Sequence, residues 1–369
     1  MSIFIFIVIL LVLVLAHEFG HFFTAKRFGI RVDEFGFGFP PKLFGFKKWE
    51  TEYTFNLLPI GGFVKIFGED PNDENTHGPD ASRSFVSKPH WQQALVLFAG
   101  ILSNFLLAWL LLSIGFMSGL PSSVNDEKHS YEIKDAHTVI VSVAPDSPAF
   151  IAGLKSGDKI FSISNKDFSP SSNSPETVVN LVAESKNKEI EIGYVSNGKE
   201  FIAENVNYVK IIPTTEMSEK PVIGVSMDQI GTVKLPLYQA FYEGMKLTIH
   251  VTKSTALGLY TLIHDGIMGN GSFNSVTGPV GMVGIVGDAY QFGFVYLLSF
   301  AALISINLAI INLIPFPALD GGRLFFLLIE KIKGSPLNPK VSNTANMVGF
   351  IVLILLMLIV TYHDVVKLF

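Results

Sequence analysis

The chain has no cysteine. Disulfides, thiolate ligands and a cysteine nucleophile are all excluded, so any bound metal must be held by His, Asp, Glu or water. Charge is scarce as well: 16% of the 369 residues are Asp, Glu, Lys or Arg, against about a quarter in ordinary soluble domains. The net charge of −5 provides no basic face, which sets nucleic-acid binding aside. The first residues, Met1-Ser2-Ile3-Phe4, carry no basic side chain. A cleavable signal peptide needs one, together with a small-residue cleavage site, so the apolar run that follows is expected to be a retained first span.

Hydrophobic residues are abundant, at 49% with a mean hydropathy of +0.42. That balance belongs to a polytopic membrane protein. The uncharged run from Ser2 to Ala16 leads into His17-Glu18-Phe19-Gly20-His21. On a helix, His17 and His21 stand four apart on one face and can hold one Zn²⁺, with Glu18 placed as a general base. Composition alone would produce His-Glu-x-x-His about once in a hundred such chains, so the pattern by itself is weak. Its setting strengthens it, because ionisable groups in a lipid-spanning segment are costly and mark functional sites. At about 1.5 Å per residue from Ser2, His17 lies about 22 Å along the helix and His21 about 28 Å, near the far edge of a hydrocarbon core about 30 Å thick.

Lys26, Arg27 and Arg31 follow the first span, which argues for a cytoplasmic exit and an outer N-terminus. The motif would then lie toward the cytoplasmic side. Further spans are expected from Ala94 to about Leu120, from Phe292 to Ile314 and from Met347 to Tyr362. Gly100, Ser103 and Asn104 interrupt the second, and helix–helix contact is the ordinary use of such residues, with a direct role for Asn104 as the alternative. Between the first two spans, Phe35-Gly36-Phe37-Gly38-Phe39 precedes an alternation from Thr51 to Leu57 that ends at Gly61-Gly62. This alternation, ending in a glycine pair, reads as a membrane-associated β-hairpin. It is either an aromatic interfacial anchor or a strand edge that pairs with extended substrate, with Gly36 and Gly38 in its path. Residues 69 to 84 read as an exposed loop.

From 122 to 219 the composition turns charged and Ser/Asn-rich, as in a soluble α+β domain. Residues 236 to 268 carry scattered charges at helical spacing, an expected pair of interfacial amphipathic helices. The domains are thus 1–120, the first half of a membrane core; 122–219, the inserted domain; 220–291, an interfacial segment; and 292–369, the second half of the core. At the end of the third span, Asn312-Leu-Ile-Pro315-Phe-Pro317-Ala-Leu-Asp320-Gly-Gly322 must break the helix and put Asp320 on irregular backbone. A catalytic zinc wants three protein ligands and an open position, and Asp320 is the only acid between Asp288 and Glu330. Asn307 and Asn312 in the same span either pack helices or hydrogen-bond substrate and a developing oxyanion.

Within the inserted domain, Ser147-Pro-Ala-x-x-Ala-Gly-Leu-x-x-Gly-Asp-x-Ile160 resembles the PDZ domains of bacterial proteases. Taken with the His-Glu-x-x-His run, the Gly-Phe-Gly-Phe-Pro segment and the Leu-Asp-Gly-Gly ending, the chain resembles the site-2 proteases and, among them, the bacterial RseP-like regulators of sigma-E type signalling. One PDZ-like repeat is found here where the best-known members have two. The resemblance implies an intramembrane zinc endopeptidase of the bacterial inner membrane, with one Zn²⁺ on His17, His21 and Asp320 and Glu18 as base. It implies roles in substrate handling for Asn307 and Asn312, and a substrate-clamping β-element after Gly36. Its partners would be single-pass membrane proteins, often anti-sigma factors, already shortened on the outer side, with a peptide or chain terminus at an extracytoplasmic PDZ-like domain. Two rivals remain, a polytopic metal transporter and a PDZ scaffold with a vestigial metal site. A transporter would spread its ligands along a path through several spans, whereas here they cluster at one depth.

Overall fold

The computed structural model describes residues 1–69, 76–124, 131–165, 168–170, 173–215, 220–269 and 277–366. Residues 70–75, part of the loop expected from 69 to 84, lie outside that set. The chain divides into two units: Met1–Ile114 with Phe241–Asp288 and Leu297–Phe369, and Gly115–Ala240 with Ala289–Tyr296.

Among the described residues, four helices are long and apolar enough to cross a membrane: α1 (Ser2–Arg27), α2 (His90–Ser118), α7 (Phe294–Leu313) and α9 (Pro339–Val366). Each outruns or shifts its expected bounds by a few residues, since capping and not hydropathy sets helix ends. Lys26 and Arg27 close α1, where their charge complements the helix C-terminus. Pro315 and Pro317 separate α7 from α8 (Asp320–Lys333), and Gly334 ends α8 in the left-handed conformation with φ 74°.

Small residues let α1 and α2 cross closely. A Cβ on Gly20 would overlap the Ala99 carbonyl, and Ser103 Oγ donates to the Ala16 carbonyl at 2.5 Å. Ala108 and Leu112 of α2 pack on Ala302 and Ile306 of α7. Another cluster joins Ala25, Ile30, Val32, Ile66, Phe85, Val96 and Leu97 to Leu324 and Leu327 of α8. Instead of a helix pair, residues 237–267 form one helix, α5 (Leu237–Ile267), with α6 (Pro279–Phe292) following before α7. Gly244 does not break it. A Cβ there would meet Ser113, so the glycine serves close passage against α2.

The hairpin is longer than the alternation indicated. Strands β1 (Val32–Lys48) and β2 (Thr51–Ile66) are joined at Trp49-Glu50, with Trp49 at φ 56°. The Gly61-Gly62 pair lies inside β2, where Gly61 at φ 97° bends the strand. Consequently β2 flanks the first half of β1 twice: Phe35 pairs with both Val64 and Tyr53, and Phe37 with both Gly62 and Phe55. The second half of β1 pairs with 51–56 from the far side, so the ribbons run 62–66, 32–37, 51–56, 42–48.

The second unit holds a six-stranded antiparallel sheet. Its strands are β3 (Leu120–Ser123), β4 (Lys134–Val143), β5 (Lys159–Asn165), β6 (Ile190–Val195), β7 (Val206–Ile211) and β8 (Val225–Val233), in the order β3-β8-β4-β5-β6-β7. The sheet therefore extends past residue 219, where the composition changes, because β8 pairs between β3 and β4. Helices α3 (Pro148–Ile151) and α4 (Pro175–Glu184) cover a core of Ile140, Ala149, Ile160, Ile163, Val178 and Ile192. The Ser147–Ile160 motif explains itself here. Ser147 Oγ caps α3 by accepting from Phe150 N at 3.2 Å, and Gly153 and Gly157 take φ 86° and 92°. Asp158 Oδ2 accepts from Lys155 N at 2.9 Å.

Candidate metal centre

Helix α1 presents His17 and His21 one turn apart, at 7% and 6% exposure. Asp320, the first residue of α8, reaches both. His17 Nε2 to Asp320 Oδ2 is 3.1 Å, His21 Nε2 to Oδ2 is 3.2 Å, and the two Nε2 atoms are 3.2 Å apart. Among the described residues these three are the group able to share a cation. The expectation of irregular backbone at Asp320 is corrected: the disordering residues precede it, and Asp320 opens a helix. Gly321 and Gly322 lie inside that helix. A Cβ on Gly321 would strike the Leu313 and Ile314 carbonyls, and one on Gly322 the Phe316 carbonyl, so the pair lets α8 seat beneath the loop that precedes it. The left-handed residue of that loop is Ala318 at φ 75°, whose N–H donates to Asn346 Oδ1 of α9 at 3.2 Å.

The donor set fits a metal. Asp320 Oδ2 is buried and accepts no hydrogen bond although two imidazole nitrogens lie beside it. His21 Nδ1 donates to the Val96 carbonyl at 2.8 Å, which leaves the Nε2 lone pair aimed at the centre. Three lone pairs thus converge at separations of 3.1–3.2 Å. One face of a tetrahedron with its centre about 2.0–2.1 Å from each donor, the zinc distance, has edges of about 3.3–3.4 Å. The fourth vertex is free of protein ligands among the described residues.

Space for the imidazoles comes from α2. A Cβ on Gly100 would overlap His21 Nε2 and stand 2.9 Å from His17 Cε1. Asn104, at 0% exposure, places Nδ2 3.3 Å from His17 Nδ1, and its carbonyl accepts from Ser305 Oγ of α7 at 2.8 Å. The Val64 backbone lies within electrostatic reach of the Glu18 carboxylate, and the 62–66 ribbon keeps an outer edge that no described strand pairs. Arg323, one turn after Asp320 and ion-paired with Glu69, is within electrostatic reach of Glu18.

The remaining sequence candidates lie apart from this triad. Gly36 is flanked on both sides, by Phe63 and Thr54, and a Cβ there would enter the Phe63 ring. Gly38, at φ 78°, has its carbonyl taken by Asn56 Nδ2 at 3.0 Å. Neither offers an open strand edge; that edge belongs to 62–66. Asn307 and Asn312 are half-buried on α7 and have no hydrogen-bond partner among the described residues. Gly100 could have been found from its i, i+4 spacing with Asn104 on one face of the second span, though nothing in the spacing says which helix that face meets.

The sequence profile of peptidase family M50 matches residues 5–356. The chain belongs to that family. Relatives agree over nearly the full length. "Regulator of sigma-W protease RasP" of Bacillus subtilis is 31% identical over 441 residues, covering 99% of this chain and 98% of the relative. "Zinc metalloprotease RasP" of Geobacillus kaustophilus is 30% identical, covering 100% and 98%, and the protein of the same name from Bacillus licheniformis is 31% identical, covering 99% and 98%. Membership in the M50 peptidases decides for the peptidase over the transporter and the scaffold.

Proposed function

We propose that this zinc metalloendopeptidase of site-2 protease type cuts single-pass membrane proteins within their spanning segments. His17, His21 and Asp320 hold one Zn²⁺, and Glu18 is the general base. The convergence of three lone-pair donors inside a bundle of apolar helices carries this reading. Bound there, Zn²⁺ would supply the Lewis acid that activates water and polarises the scissile carbonyl. Glu18 takes the proton of the attacking water and passes it to the leaving amine. A helical peptide bond is shielded by its own hydrogen bonds, so the substrate must unwind before it is cut. The outer edge of 62–66 gives the unwound strand backbone partners beside Glu18, and Gly36, paired with Phe63, supports that edge from behind. Asn307 and Asn312, without hydrogen-bond partners among the described residues, are donors for substrate backbone.

The physiological substrate in this reading is a membrane-anchored regulator of a sigma factor, of anti-sigma type, already trimmed on its outer side, in keeping with the relative named for sigma-W regulation. The six-stranded unit is a PDZ-like extracytoplasmic domain that takes an extended peptide or chain terminus, while the metal lies toward the cytoplasmic side of the inner membrane. The test is incubation of purified protein in liposomes with single-span substrates, with and without a zinc chelator, and mapping of the cut. Chelator-sensitive cleavage inside the span is expected. A cut outside the span, or a Glu18→Gln variant as fast as the parent, would refute it.

A further inference from the structure

We infer that Asn104 is a positioning residue for the metal ligand His17, accepting a hydrogen bond from its Nδ1–H through Oδ1. The inference rests on the proposed ligation by His17 and concerns a residue of another helix. As it stands, Asn104 turns Nδ2 toward His17 Nδ1 at 3.3 Å, and Oδ1 is buried without a partner. An imidazole that ligates through Nε2 carries its proton on Nδ1 and donates it outward. Two donors would then face each other across 3.3 Å in a site with no room for water to part them, Asn104 being fully buried. The two ends of an amide have nearly the same shape, so a half-turn of the side chain puts Oδ1 where Nδ2 stood with no movement of either helix. One amide end is unpaired before and after the turn; what changes is that the end facing His17 becomes an acceptor. His21 already has the equivalent arrangement, with Val96 O as its acceptor, so each imidazole on α1 is fixed by one group of α2. Asn104 is itself anchored, since its backbone carbonyl is held by Ser305 Oγ at 2.8 Å.

Outer-shell partners of this kind change metal affinity by about 10–100-fold. The experiment measures zinc affinity by chelator competition, and the visible spectrum of the Co²⁺ form, for the full chain in detergent and for Asn104→Leu and Asn104→Asp. Asn104→Leu keeps the volume and loses the acceptor; Asn104→Asp keeps the acceptor and loses the donors. Expected are a 10–100-fold loss of affinity and a shifted Co²⁺ spectrum in the Leu variant, with affinity restored to within about threefold in the Asp variant. Affinity within about twofold of the parent in the Leu variant would overturn the inference, as would equal losses in a folded Leu and a folded Asp variant. If the buried carboxylate prevents folding, the Leu variant decides alone, its metal-free melting temperature serving as the control. A parent protein that binds no zinc would instead defeat the underlying ligand assignment.

Discussion

Replacing Gly100 with alanine tests the centre most sharply, because it replaces neither a ligand nor the base. The added Cβ would overlap His21 Nε2 and lie 2.9 Å from His17 Cε1. Ordinary carbon contacts need about 3.5–4.0 Å, so the His17 ring must retreat by about 0.6–1.1 Å and the His21 ring by more. His21 cannot swing freely, since Nδ1 is tied to the Val96 carbonyl at 2.8 Å. Metal–ligand distances tolerate only about ±0.2 Å. Displacement several times that tolerance in two of three ligands should cost at least about 100-fold in zinc affinity, or about 2.7 kcal/mol. Helix propensity acts in the opposite direction, favouring alanine by about 1 kcal/mol, so a loss could not be ascribed to a weakened helix. The assay pairs chelator competition on detergent-solubilised protein with cleavage of a single-span substrate, and the melting temperature without metal controls for folding. A folded Gly100→Ala protein that binds zinc as tightly as the parent would show that these imidazoles do not hold the metal where the structure puts them.

Glu18→Gln should keep zinc within about twofold while kcat falls by about 10²–10⁴, as expected for loss of a general base; metal analysis and single-turnover cleavage check both. Asp320→Ala should leave two ligands, losing bound zinc on dialysis and all measurable cleavage. Burial acts to raise the Glu50 carboxyl, but hydrogen bonds from Lys26 and Arg83 and their charges override it and hold the group below its ordinary value of 4.5. That stabilisation is present above about pH 4.5 and lost as pH falls through the lowered folded value, so melting temperatures from pH 3 to 6 should fall less steeply in Glu50→Gln. Ser147→Ala should cost the six-stranded unit about 1 kcal/mol through the lost cap, read as faster amide exchange across Pro148–Ile151.

Periodicity and apolar run length located the four spans because the hydrophobic thickness of a bilayer fixes how long such a run must be. The inserted unit was legible for a related reason: Ser147, Gly153, Gly157 and Asp158 each answer a local demand of capping or positive φ, which the residue type announces. The hairpin was legible only in kind. Its turn falls at Trp49-Glu50 and not at the glycine pair, because the bend at Gly61 lets both halves of β2 flank the same ribbon, and that long-range pairing leaves no trace in the alternation. For the same reason the open strand edge passed from Gly36 to the 62–66 ribbon.

By itself the sequence determined the chemistry on offer: two imidazoles and a carboxylate on one helical turn, the one acid between Asp288 and Glu330 placed just after the proline break, and no thiol to compete. Those follow from residue identity and the helical repeat. Only the tertiary structure decided that His17, His21 and Asp320 converge to within 3.2 Å, that Gly100 makes the room, and that Val96 and Asn104 stand beside the two imidazoles. Each of these is a contact between elements far apart in the chain, set by how closely small residues allow the helices to cross, and helix spacing is a property of the packed bundle that no single segment carries.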